Sequence, residues 1–294
     1  MAPASHLLLV NPSAGGGRTR ELVPRIERAM DASGLPFRVV LTQGLEHGCR
    51  EARGAFDAGE IPVVVSGDGL IGQVGGALAR SGATMGLIPG GRGNDLARVL
   101  GVPSEPEAAV AVLAAGASRE IDVGEVNGRR FLGVASCGFD SDANRIANEA
   151  RWVRGRLVYA YAALRALVGW KSATFTLTLD GESSALRGYG VAVANSRAYG
   201  GGMFVAPNAE LDDGLLEVVT MREVSKLRFL THPLPKIFDG SHVELAEVDV
   251  HRAAEVRIEA DRPFPVYADG DHLADLPATV TLLPRALRVI APAG

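Results

Sequence analysis

The stretch Val63-Val64-Val65-Ser66-Gly67-Asp68-Gly69-Leu70-Ile71-Gly72-Gln73-Val74, VVVSGDGLIGQV, decides the fold. Three consecutive valines suit a strand buried on both faces, which reads as a continuous apolar run rather than an alternation. Gly67, Asp68 and Gly69 make a tight turn, and Ile71, Val74 and Leu78 then recur at helical spacing. A strand, a glycine turn and a helix start together form a phosphate cradle. The first amides of a helix lack partners, and glycine lets the backbone come close to an anion. Leu70, after the second glycine, carries no hydrogen-bonding group. The stretch alone therefore leaves open a working phosphate site, a weakened one and a plain tight turn.

The same pattern repeats on either side. Leu7 to Val10 is a short apolar run entering Asn11-Pro12-Ser13-Ala14-Gly15-Gly16-Gly17. Leu22, Ile26, Ala29 and Met30 mark a helix that Gly34 stops, and Phe37 to Leu41 reads as the next strand. A helix around Cys49 to Phe56 leads into the strand Pro62 to Ser66. Met85 to Ile88 enters Pro89-Gly90-Gly91-Arg92-Gly93-Asn94-Asp95, after which Leu96, Ala97, Val99 and Leu100 resume helical spacing. Strands alternating with helices predict an α/β unit with a mostly parallel sheet, in which ligands bind beyond the carboxyl ends of the strands. NPSAGGG, SGDGL and PGGRGND would then share one rim. One glycine turn is weak evidence for phosphate, and three on one rim are much stronger.

Beyond Glu120 the texture changes to β-rich. Strand-like runs recur at Ile121–Val126, Arg130–Ala135, Thr174–Leu179, Tyr189–Ala194, Leu215–Thr220, Glu255–Glu259 and Val280–Leu283, most separated by short turns. Helical stretches from Asp142 to Val168 and from Ser225 to Phe238 interrupt them. This predicts an antiparallel β domain over 120–284 after a nucleotide-binding domain over 1–119. The last run, Leu287 to Ile290, fits either domain, so that 285–294 could return to the first.

Composition narrows the function classes. A chain of 294 residues, 47% hydrophobic and 22% charged, can bury a substantial core. A net charge of −4 argues against a broad nucleic-acid surface. Cys49 and Cys137 are too few for a disulfide framework. No apolar run reaches the ~18 residues of a membrane span, and Leu7 to Val10 is too short for a signal peptide. The expectation is a cytoplasmic protein, with attachment to the inner membrane face left open. His6, His47, His232, His242, His251 and His272 show no zinc spacing, and neither Ser13 nor Ser66 has a recognisable histidine partner for a hydrolase triad.

As a set, Asn11-Pro12-Ser13-Ala14-Gly15, Gly67-Asp68-Gly69, Gly91-Arg92-Gly93-Asn94-Asp95, Tyr199-Gly200-Gly201-Gly202, Ala206-Pro207, Leu211-Asp212-Asp213-Gly214-Leu215-Leu216-Glu217 and Asp269-Gly270-Asp271 resemble the diacylglycerol kinase catalytic-domain family, in its bacterial lipid kinase branch related to sphingosine and ceramide kinases. The resemblance runs from Leu8 to about Val289. It implies an N-terminal nucleotide-binding domain like that of NAD kinase and phosphofructokinase, and a C-terminal β-sandwich to which the lipid substrate and a metal belong. The active site would lie between them, and the chain would return at its end to the first domain. It implies ATP and Mg²⁺ as cofactors, a lipid hydroxyl as acceptor and a membrane surface as the place of encounter. Nucleic acid is not an expected partner, and a homodimer is left open. By resemblance Asp269 is the catalytic base, Asp271 stands where glutamate is commoner, and Asp68 organises Mg²⁺ on the phosphates. Asn11, Thr42, Ser66, Gly67, Gly69, Leu70, Gly91, Arg92 and Asn94 fall at nucleotide-contacting positions. A structural Mg²⁺ would take the Asp213 carboxylate and the carbonyls of Glu210 and Leu215.

The departures concern phosphate chemistry. The family usually reads Gly-Gly-Asp-Gly-Thr followed by Asn-Glu. Here Ser66, Leu70, Gly72 and Gln73 differ, and Arg92 stands where threonine is common. Losing one hydrogen bond to a charged group, about 1.5–3 kcal/mol, weakens binding roughly ten- to a hundredfold. Arg92 could compensate by bidentate contact with phosphate, or point to solvent or a nearby carboxylate. Alone, Asp269-Gly270-Asp271 would be a solvated hairpin turn, Asp213-Gly214 an ordinary turn without metal, Thr42 a strand end and Asn11 a cap. The segment Arg145 to Lys171 mixes Arg151, Arg154, Arg156, Arg165 and Lys171 with Trp152, Tyr159, Tyr161 and Trp170. That suits either an interfacial helix or a core helix with snorkelling arginines. Two competing functions remain: a nucleotide- or lipid-binding protein without transfer activity, supported by Leu70 and Gly72, and a NAD kinase-like enzyme.

Overall fold

A computed structural model describes residues 4–149 and 157–293. Its first unit is the alternating one: β1 (His6–Val10), α1 (Arg18–Ala32), β2 (Phe37–Leu41), α2 (Leu45–Asp57), β3 (Ile61–Ser66), α3 (Asp68–Leu78), β4 (Thr84–Pro89), α4 (Asp95–Val99) and α5 (Pro106–Ala115). These strands pair in parallel in the order β4-β3-β1-β2. Val63, Val64 and Val65 are fully buried because helices cover both faces of the sheet, as their unbroken apolar run requires. Leu22, Ile26 and Met30 form the buried stripe of α1, and the chain leaves that helix through Gly34 at positive φ.

The second unit is a β-sandwich-like domain. It comprises β5 (Ser118–Val126), β6 (Arg129–Phe131), β7 (Val134–Gly138), α6 (Phe139–Glu149), α7 (Leu157–Gly169), β8 (Ala173–Leu179), β9 (Glu182–Ala194), β10 (Leu216–Arg222), α8 (Lys226–Thr231), α9 (Pro233–Lys236), β11 (Val248–Ala253), β12 (Glu255–Ala260), β13 (Pro265–Ala268), β14 (Asp271–Asp275) and β15 (Ala278–Ile290). Its strands pair antiparallel and alternate. In β12, Val256 and Ile258 face the core while Glu255, Arg257 and Glu259 face out. β15 joins the units: its first half pairs with β12, most of its length pairs with β5, and Arg288 and Val289 pair in parallel with Thr84 and Met85 of β4.

Several elements differ from the sequence reading. The expected strand Arg130–Ala135 is two strands, broken at Leu132 and Gly133, whose amides leave the ladder to bind a carboxylate. The expected runs Val280–Leu283 and Leu287–Ile290 are one strand with an irregularity between them, where Arg285 takes positive φ and its amide bonds Asp122. β11 was not expected. Ser225–Phe238 forms two short helices, since Pro233 cannot continue α8. Of the expected helix Asp142–Val168, α6 and α7 cover the described parts. Arg151, Trp152, Arg154, Arg156 and the side chains of Arg145 and Tyr159 lie outside what is described.

Candidate active site

The three glycine turns meet at the carboxyl ends of β1, β3 and β4. Thr19, fully buried, donates its hydroxyl to the carbonyls of Gly90 (3.0 Å) and Ala14 (3.1 Å), stapling the first turn to the third. A side chain on Gly91 would collide with the backbone of Gly67, so glycine there allows the second and third turns to touch. Asn94 closes the third turn on itself: the Gly91 amide donates to its Oδ1 (2.8 Å), and its Nδ2 donates to the Gly91 carbonyl (3.2 Å). Gly67 precedes the first turn of α3 in extended conformation, with Asp68 and Gly69 in that turn. Ser66 is buried at the end of β3.

The Leu70 side chain is 2% exposed and packs against Gly48 of α2, so only the backbone of this residue faces the glycine rim. Asn11 and Thr42 also find partners inside the fold. Asn11 Oδ1 accepts the Ser13 amide (3.0 Å), as the cap alternative requires, and the Thr42 hydroxyl bonds the Val10 carbonyl (3.3 Å) at a strand end. Arg92 is exposed, its guanidinium stands near Gly16 over the first turn, and among the described residues it makes no ion pair.

Across the rim lies a cleft bordered by Asp68, Gly72, Gly93, Gly133, Ser196, Tyr199 and Asp269. Asp269 sits at positive φ in the β13–β14 turn. Its Oδ2 accepts the Leu132 amide (2.8 Å) and its Oδ1 the Gly133 amide (3.0 Å), which is why the strand breaks there. Both neighbouring glycines make room for it. A side chain on Gly72 would come within 2.8 Å of Oδ2, and one on Gly133 would collide with Oδ1. Burial, with the charges of Asp68 and Asp271 adding, pushes the Asp269 carboxyl up to about 7 against the pull of those two amides. Asp68 is raised too, by burial first and then by Asp95, while the Leu96 amide donates to it (3.2 Å). Neither Asp68 nor Asp269 faces a cationic side chain among the described residues. Two close carboxylates without a counterion are the donor set that a nucleotide-bound Mg²⁺ suits.

Asp271 is not in this cleft. It lies on the other side of the Asp269 turn, where Gln73 Nε2 donates to it (3.1 Å), in a recess shared with Arg50, Arg53 and Arg129. In the loop Glu210 to Leu215 the expected metal carboxylate already has partners within the fold. Asp213 holds the Leu215 amide (3.0 Å) with one oxygen and pairs with the Arg252 guanidinium through the other, while Asp212 pairs with Arg119. No group of three metal-binding side chains occurs among the described residues. The organiser of this loop is Asp122, which sequence reading passed over. Fully buried, it receives the amides of Gly214 (2.8 Å) and Arg285 (2.7 Å) and so ties the loop to β15.

The far wall is built by the Tyr199 to Gly202 motif, to which the sequence reading assigned no role. Tyr199 begins the turn through Gly200, Gly201 and Gly202 that returns to Met203, and the Gly201 amide donates to Asp95 (2.7 Å), fastening this turn to the third glycine turn. The Tyr199 hydroxyl bonds Asp140, whose carboxyl burial raises even as Ser136 and Tyr199 stabilise its charge. Tyr199 borders a second, apolar cavity as well, walled by Phe139, Tyr189, Met221, Phe229 and Leu234. A polar cleft and an apolar cavity thus share one wall.

Comparison with known proteins agrees with this arrangement. Residues 5–126 match the diacylglycerol kinase catalytic domain, and residues 133–291 match the YegS C-terminal NAD kinase beta sandwich-like domain. A diacylglycerol kinase of Mycobacterium tuberculosis is 36% identical, over 97% of this chain and 94% of its own. A YegS-like lipid kinase of Chromohalobacter salexigens is 31% identical, over 98% and 93%. The crystal structure of a diacylglycerol kinase from Bacillus anthracis superposes with a TM-score of 0.76 at 21% identity, over 98% of this chain and 97% of that one, and so shares the fold. With both domain models and full-length relatives in agreement, the chain belongs to the diacylglycerol kinase catalytic-domain family of bacterial lipid kinases.

Proposed function

We propose that this protein transfers the γ-phosphoryl group of ATP to the hydroxyl of a diacylglycerol-like lipid, with Asp269 as general base. The observation that carries the reading is the place of Asp269: a carboxyl near neutrality, in one cleft with Asp68 and the phosphate turns, beside an apolar cavity. The amides at the start of α3 and around Gly91 receive the phosphates. Mg²⁺ bound with the nucleotide supplies charge neutralisation, and Asp68 is the carboxylate that would hold it. Asp269 accepts the proton of the attacking hydroxyl. A base with a pKa near the working pH is efficient at this, and phosphoryl transfer otherwise asks mainly for alignment. The lipid chain leaves the cleft past Tyr199 into the apolar cavity, so the encounter takes place at a membrane surface. Among the described residues no helix is long and apolar enough to cross a membrane.

The test mixes the purified protein with Mg²⁺, γ-labelled ATP and detergent-dispersed diacylglycerol, and follows label into the organic phase. Label is expected with the wild type and absent with Asp269→Asn. The competing reading, a binder without transfer, rests on Leu70 and Gly72, which stand where the family carries threonine and asparagine. It would be favoured by intact ATP binding with no label in any lipid of a membrane extract.

A further inference from the structure

The outer face of α7 and α8 is apolar and bare. Val168 is 82% exposed, Leu227 72% and Leu164 50%. They belong together: Leu164 and Val168 lie four residues apart on one face of α7, and the Lys226 ammonium donates to the Val168 carbonyl (2.8 Å), clamping the start of α8 to the end of α7. The inner faces of these helices are satisfied. Ala162, Ala166 and Leu167 of α7 are buried, and Phe229 of α8 packs edge-on against Phe139, as does Trp170 just past the end of α7. Helix α7 is therefore apolar on its core side and again on its open side, a pattern that leaves one face without a partner among the described residues.

Charge selects that partner. Segments 157–171 and 225–238 contain no aspartate or glutamate, yet they carry Arg165, Lys171, Lys226 and Lys236 on a chain whose net charge is −4, besides Arg228, which pairs with Glu247. Basic side chains around bare leucine and valine complement an anionic lipid surface, which offers an apolar interior beneath a negative plane. Position agrees as well. Phe229, Pro233 and Leu234, on the inner side of α8 and α9, wall the apolar cavity beside the cleft. Resting on the kinase reading for its purpose, we infer that Leu164, Val168 and Leu227, flanked by Arg165, Lys171 and Lys226, form a docking surface for an anionic membrane. This surface brings the outer wall of the acceptor cavity onto the lipid.

The test uses the full chain and sedimentation with two kinds of vesicle, one of phosphatidylglycerol and phosphatidylcholine in equal parts and one of phosphatidylcholine alone. The wild type should sediment with the first, more weakly at high salt, and little with the second. Val168→Asp and Leu227→Asp should each lower partitioning about tenfold, since each removes a side chain that would bury in the acyl boundary. Both sites are solvent-facing in the free protein, so the melting temperature should hold. The double variant should phosphorylate a monomeric short-chain diacylglycerol at the wild-type rate and fail on the same lipid in vesicles. Two results overturn the docking surface: vesicle binding that ignores both substitutions, or a wild type that binds no vesicle and forms a dimer that the substitutions disperse, which would give the face to a second copy of the chain. A wild type that docks through these residues but transfers no phosphoryl group would sink the kinase reading alone and support the docking surface.

Discussion

Replacing Asp269 by asparagine should stop phosphoryl transfer and shift the balance of stability toward the variant as pH rises. Burial and neighbouring carboxylates move the Asp269 carboxyl from 3.8 to about 7. Between those values the folded state keeps a proton that the unfolded state has released. Stability therefore falls as pH rises through this window, and the loss is complete above about pH 7. The displacement corresponds to about 4 kcal/mol, reduced to about 2–4 because the group opens on the cleft and shares its shift with Asp68. Asparagine escapes that cost but offers one acceptor where the carboxylate offers two. Either the Leu132 or the Gly133 amide then faces an NH₂ group, at about 1–3 kcal/mol. Near pH 8 the variant should lie between about 1 kcal/mol below and about 3 kcal/mol above the wild type, and between pH 5 and pH 8 the difference should move by about 1–3 kcal/mol in the variant's favour. At about 2–4 °C per kcal/mol, the difference in melting temperature should move by several degrees toward the variant between those two pH values. Over the same range, wild-type kcat/KM should rise with pH through about 7 and then level, while the variant loses roughly 10²–10⁴-fold in kcat. A flat wild-type profile, or a melting difference that does not move with pH, would refute the claim that Asp269 is a buried, charge-coupled base.

Other expectations follow from single contacts. Gly72→Ala puts a methyl carbon 2.8 Å from Asp269 Oδ2, so it should cut kcat at least tenfold with little change in ATP affinity, measured by displacement of a fluorescent nucleotide. Leu70→Thr restores the family's hydroxyl but places it in the packing between α2 and α3. It should cost about 2–4 kcal/mol in denaturant unfolding and fail to tighten ATP binding; tighter binding would show that this side chain can turn to the rim. Because Arg252 already neutralises Asp213, a chelator should leave the melting temperature of the nucleotide-free protein unchanged. A melting point that drops with chelator and recovers with Mg²⁺ would place a metal in the Asp213 loop after all.

The fold was legible where the pattern is local. The run Val63 to Val65, the helical spacing of Leu22, Ile26 and Met30, and the alternation of β12 each state their burial directly. What escaped was set by contacts distant in sequence. Nothing near Leu132 announces that its amide will serve a carboxylate 137 residues away, so the break between β6 and β7 could not be read. Asp122 looks like one acidic residue in a strand until Gly214 and Arg285 bring their amides to it. Within the site, sequence gave residue types and left their directions open. Asp68 and Asp269 face one cleft, Asp271 faces another recess, and Leu70, which first cast doubt on phosphate binding, turns inward. The last case changes the meaning of a departure from a motif. A missing hydroxyl weakens binding only if the side chain that replaces it stands where the hydroxyl would act. On the kinase reading Leu70 does not stand there, and the anion would be left to the backbone amides at the start of α3, which any residue at position 70 supplies.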